Sequence, residues 1–124
     1  MRILVVEDET GISGFLQTGL AEEGYVVETA DDGEVGLAMA LSGHYDLLLL
    51  DWMLPGLDGL ELCKEFRKRN PSTPVVFLTV RDSEKDIKAG LTAGANDYIR
   101  KPFAFDDLLV RIERQLGPNA SRTV

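Results

Sequence analysis

The sequence predicts a three-layer α/β/α sandwich: a parallel sheet with helices on both faces. Three observations predict it. The runs 2–6, 46–50 and 75–78 are apolar with little alternation, as in strands covered on both sides. Helical patterns separate these runs, so strand and helix alternate five times along 124 residues. Connections of that length join parallel strands through right-handed crossovers.

The elements follow in order. Arg2 to Val6 reads as the first strand. A helix spans about 10–23, with Ile12, Phe15, Leu16 and Leu20 on one face and Gly24 closing it. Residues 25–29 form the second strand, Asp31-Asp32-Gly33 a turn, and 36–41 a short helix. The most apolar strand, 46–50, follows Gly43-His44-Tyr45, and His44 reads as a surface loop residue. Pro55 to Gly59 is a loop in which Asp58 or Gly59 starts a helix carrying Leu60, Leu62, Cys63 and Phe66. Asn70-Pro71-Ser72-Thr73-Pro74 breaks it. Strand 75–78, a helix near 84–92, a short strand at 97–99 and a helix from about 106 to 116 complete the pattern. Two architectures fit: a flavodoxin-like sheet of order 2-1-3-4-5, and a piece of a larger doubly wound sheet. Both put the functional site at the carboxyl ends of the strands.

The length suits one domain with a real core. We assign 1–117 to it and read 118–124, which is polar, as the start of a linker or a frayed tail. A net charge of −8 makes this segment a poor partner for phosphate backbones. No apolar run approaches the roughly 20 residues of a membrane span. The single Cys63 cannot form an internal disulfide and points to the cytoplasm.

Chemistry gathers at the strand ends. Glu7 and Asp8 follow the first strand, Asp51 the third, Thr79 the fourth, and Lys101-Pro102 the fifth. Singly, each has an ordinary reading. Asp51 can cap a turn, Thr79 can be a plain strand residue, Lys101 a solvated charge, and Glu7 and Asp8 the start of a helix. Together on one sheet edge they form a set. Two like charges about 4 Å apart repel by about 4 kcal/mol at an effective dielectric of about 20. Three carboxylates therefore call for a counter-charge, and Mg²⁺ suits a hard oxygen set. Asp51 is the candidate nucleophile for an aspartyl-phosphate, Asp8 with Glu7 the metal site, and Lys101 and Thr79 the groups that meet phosphoryl oxygens.

Four segments resemble the receiver domain of bacterial two-component response regulators of the OmpR/PhoB winged-helix type. They are Val5 to Glu9, Leu50 to Gly59, Val76 to Thr79 and Gly94 to Phe103. The resemblance implies the 2-1-3-4-5 sheet, Asp51 as phosphoacceptor and Glu7 with Asp8 as the acidic pair. It implies a backbone carbonyl from Met53 to Mg²⁺, Lys101 as the phosphate-contacting lysine, and a cis bond between Lys101 and Pro102. Thr79 and Tyr98 take the switch positions. A sensor histidine kinase would donate the phosphoryl group. Phosphorylation would change the face built by the fourth helix, fifth strand and fifth helix, driving homodimerisation through Ile87, Leu91, Asp97, Asp107, Leu108 and Arg111. DNA would be bound only by a domain beyond this segment, and transcription controlled there. The chain departs from the family pattern at Val80, where a small residue is usual, at Asn96, where Asp is usual, and at Ile87, where Arg or Lys is usual. Two rival readings are a Mg²⁺-dependent phosphotransferase or phosphatase and a phosphorylation-independent interaction module. A phosphatase of this kind needs an acid/base two residues past its nucleophile, and that position is Met53.

Overall fold

Leu4, Val6, Leu48, Leu50, Val75 and Phe77 turn to one side of a sheet, and Ile3, Val5, Leu47, Leu49, Val76 and Leu78 to the other. Side chains alternate across a strand, so an unbroken apolar run fills two cores at once. The computed structural model describes residues 1–81 and 83–117. Its elements are β1 (Arg2–Val6), α1 (Thr10–Glu22), β2 (Val26–Ala30), α2 (Gly33–Ser42), β3 (Leu47–Asp51), α3 (Gly59–Arg67), β4 (Val75–Thr79), α4 (Glu84–Ala93), β5 (Asp97–Arg100) and α5 (Phe105–Leu116). All pairings are parallel and the order is β2-β1-β3-β4-β5. This is the flavodoxin-like order; the alternative of a larger sheet is set aside.

Ala40, Leu62, Cys63, Phe66 and Ala93 cover one face. Leu16, Leu20, Leu108 and Ile112 cover the other. Each fully buried leucine contributes about 1.5–3 kcal/mol relative to exposure. Leu108 corrects an expectation: it is 0% exposed in this second core and cannot belong to a dimer surface. The amphipathic pattern of α5 marks which residues share a stripe, and Leu108 lies on the stripe that faces the sheet.

Several boundaries shift for identifiable reasons. Strand β2 starts at Val26 because the Tyr25 amide donates to Leu20 O, closing α1 instead of joining the ladder. Helix α2 starts at Gly33, since Asp32 is its cap: Asp32 Oδ1 accepts from the Val35 amide at 2.7 Å. Asp58 and Ser83 cap α3 and α4 in the same way. Strand β3 begins at Leu47, because the Asp46 carboxylate accepts from the Arg2 amide at 2.7 Å. It runs one residue further than expected, so Asp51 pairs in register with Leu78. Strand β4 likewise takes in Thr79, which pairs with Arg100. The linker expected at 118–124 lies outside the described residues.

Two glycines matter to the layout. Gly59 lets the start of α3 press on the end of β3: a Cβ there would collide with the Asp51 carbonyl and stand 2.9 Å from Trp52 Cα. Gly94 ends α4 with φ 112°, the left-handed conformation that glycine adopts freely.

Candidate functional site

Register sets the site. Val6 pairs with Leu50 and Asp51 with Leu78, so the residues leaving β1, β3 and β4 emerge side by side. Glu7 is 1% exposed, Asp51 6% and Thr79 2%, while Asp8 is exposed at the rim. Carboxylate oxygens of Glu7, Asp8 and Asp51 all lie within 4.8 Å of one another. Lys101 leaves the end of β5, its amide donating to Thr79 O at 2.8 Å. Its Nζ donates to Glu7 Oε1 at 2.6 Å and stands 3.3 Å from Asp51 Oδ2. The Lys101–Pro102 bond is cis.

The electrostatics are those of a crowded acidic cleft. Burial, then the neighbouring Asp51, push the Glu7 carboxyl up to about 8, with Lys101 pulling the other way. Burial disfavours the Lys101 ammonium, but its bond to Glu7 and the pull of Asp51 outweigh that and raise its pKa. Among the described residues, Glu7 Oε2 is buried without a hydrogen-bond partner. Three carboxylates against one ammonium leave two negative charges when all are ionised. An orphaned carboxylate oxygen in such a set fits a divalent cation with hard-ligand preference, and among the described residues the cluster is all carboxylate, which suits zinc poorly. The cluster is able to hold a metal ion.

The other expected residues lie partly beside the cleft and partly on α4, β5 and α5. The Met53 amide donates to Asp51 Oδ1 at 3.3 Å, and its side chain is exposed. Thr79 Oγ1 accepts from the Arg81 amide at 2.8 Å. The half-buried Tyr98 lines a small cavity with Trp52, Phe77 and Thr79. Asp97 and Arg111 pair within the chain, Nη1 lying 2.8 and 3.0 Å from the two carboxylate oxygens. Ile87 is half-buried, while Leu91 and Asp107 are exposed.

Two features escaped sequence reasoning. Trp52 is buried against Phe77, and the Arg81 guanidinium lies over its outer face. Arg67 reaches the carbonyls of Gly94, Asn70 and Thr73 and the side chain of Asn96, tying α3 to the start of β4 and β5. The unusual Asn96 was the available signal for the second; nothing in the sequence signals the first.

The family model described as "response regulator receiver domain" matches residues 3–113. The uncharacterized transcriptional regulatory protein YkoG of Bacillus subtilis is 50% identical over 121 residues, covering 98% of this chain and 53% of that protein. The response regulator ArlR of Staphylococcus aureus is 48% identical over 111 residues, covering 90% and 50%. The chain thus spans about half the length of the curated relatives it matches. Among solved structures, the response regulator TrrA of Thermotoga maritima in complex with Mg²⁺–BeF superposes with a TM-score of 0.84. It is 40% identical, with 93% of this chain and 98% of that one covered.

Proposed function

The chain belongs to the response regulator receiver domain family, and from that premise we propose that Asp51 is the phosphoacceptor of a signalling switch. The observation that carries the reading is one cleft holding Asp51, Asp8, Glu7 and Lys101 at the ends of three strands, β1, β3 and β5. In the step, a carboxylate oxygen of Asp51 attacks phosphorus, and the P–N bond of a phosphohistidine on a sensor kinase breaks. The freed imidazole keeps the bonding pair. Lys101 stands beside Asp51 to neutralise charge, and Thr79, at the end of the adjacent strand β4, would offer its hydroxyl to a phosphoryl oxygen. Asp8, Asp51 and the Met53 carbonyl would hold Mg²⁺, with Glu7 supporting them indirectly. The ion would offset charge on both the carboxylate and the incoming phosphoryl group. The domain acts as acceptor and co-catalyst of its own phosphotransfer, not as a turnover enzyme.

The kinase has a place to dock. A groove of about 460 Å³ beside Lys101 is lined by Ile12, Phe15, Val80 and Phe103. Phe15 is 53% and Val80 61% exposed, an apolar mouth suited to a partner helix. The single buried Cys63 supports the cytoplasm as the shared compartment.

The output lies across the sheet. Phosphorylation adds about −1.5 to −2 charges and three acceptors at Asp51. Thr79 turns toward them, and Tyr98 follows into the space beside it. The changed face of α4, β5 and α5 then favours a homodimer, and a DNA-binding domain beyond this segment acts on transcription. With Leu108 in the core and Asp97 and Arg111 paired within the chain, Ile87 and Leu91 are left to supply most of the contact, with Asp107 at the rim.

Incubation with acetyl phosphate and Mg²⁺, followed by intact mass, tests the reading. One added phosphate that disappears in Asp51→Asn is expected. No adduct, or rapid multiple turnover, would replace the switch with one of its rivals.

A further inference from the structure

Arg81 is engaged three times over. Its amide holds the Thr79 hydroxyl at 2.8 Å. Its guanidinium carbon stands 5.5 Å from the Trp52 ring centre. Its Nη1 lies 3.3 Å from Asp86 Oδ1, in the first turn of α4. Trp52 directly follows Asp51, so one side chain ties the end of β3 to the start of α4 while its backbone fixes Thr79. Beneath it the cavity shared by Trp52, Thr79 and Tyr98 measures about 10 Å³, room for no more than one water.

We infer that Arg81 is a positioning residue that holds Thr79 and Trp52 in the resting arrangement, and so opposes occupation of the phosphoryl site. This rests on Asp51 being the phosphoacceptor. In the switch proposed above, Thr79 turns toward the phosphoryl oxygens and gives up the bond that it accepts from the Arg81 amide. That turn is opposed while Arg81 is pinned to both Trp52 and Asp86. Phosphorylation therefore works against the stack and the ion pair.

The sign of the effect discriminates. A cation near an anion site ordinarily strengthens anion binding, so through-space electrostatics alone predicts weaker binding when Arg81 is lost. A restraint predicts the reverse. The test is calorimetric titration of beryllofluoride, a phosphoryl mimic, into the Mg²⁺-loaded protein. Emission from Trp52, the single tryptophan, provides a second channel. Arg81→Ala is expected to bind about three- to tenfold more tightly than wild type, the range set by an exposed cation–π contact and an exposed ion pair. Arg81→Lys keeps the charge but loses the planar stack, and is expected to gain less. The Arg81 side chain is 45% exposed, so both variants should fold, which urea unfolding checks. Equal or weaker binding by Arg81→Ala overturns the inference. Wild-type binding that survives in Asp51→Asn, or is absent altogether, overturns the phosphoacceptor reading beneath it.

Discussion

Replacing Glu7 by Gln should change the pH dependence of stability more than stability itself. The Glu7 carboxyl titrates near 8 in the folded chain against an ordinary 4.5. Between those values the folded state keeps a proton that the unfolded state has released. Stability tied to this group is therefore fully present below the lower value and lost as pH rises through the upper one. Each pH unit in that window costs up to about 1.4 kcal/mol, so the ceiling is on the order of 5 kcal/mol. Relaxation of the carboxylate toward the rim of the cleft, and a stronger Lys101 pair once it ionises, bring the effect below that ceiling. Gln matches the shape and can still accept from Lys101, but it cannot ionise. In EDTA, urea unfolding of wild type and Glu7→Gln should give similar stabilities near about pH 5 and diverge by about pH 9, the variant being more stable. A domain of this size has about 5–15 kcal/mol in total, so the divergence is easily read. Parallel curves across the range would refute the account of a proton trapped between Asp51 and burial.

Val80→Ala should shed phosphate faster than wild type by on the order of a fewfold, because the branched side chain beside Lys101 and Phe103 limits attacking water. Intact mass over time measures this, and slower or equal loss by the variant contradicts it. Arg67→Ala should lose about 2–4 kcal/mol of stability by stranding the carbonyls of Gly94, Asn70 and Thr73. Its beryllofluoride affinity should stay unchanged, since those contacts lie at the far end of the sheet. Cys63 is 0% exposed, its thiol pushed up to about 11 by burial and donating to Ala93 O at 3.5 Å. Native protein should resist a thiol reagent near about pH 8 and react on unfolding; prompt stoichiometric reaction of native protein would contradict the buried, neutral thiol.

Much of the sandwich is legible because unbroken apolar runs admit few alternatives. Leu47 to Leu50 cannot leave either face in water, so helices must cover both, and the strand ends then converge. That is why Glu7, Asp8, Asp51, Thr79 and Lys101 can be gathered on one edge before any coordinate is known. Boundaries were less legible for a local reason. Asp32 and Asp46 have two uses, turn former or hydrogen-bond acceptor for a neighbouring amide, and only their neighbours decide between them. In both cases the acceptor role prevailed.

What stayed hidden belongs to long side chains. Ile87, Leu91, Leu108 and Ile112 share a helical spacing that fits core and interface equally, yet Leu108 and Ile112 are buried to 0% while Leu91 is 51% exposed. Spacing identifies a stripe, and only the position of the sheet says which way the stripe points. Arginines are harder still, because a flexible stem carries the charge far from its own Cα. Neither Arg67 nor Arg81 stands out in the sequence, yet one braces three carbonyls and the other covers Trp52. The residues we propose for the phosphoryl chemistry can be found from the sequence because strand ends fix their place. The arginines act through reach, and reach is set only when the chain has folded.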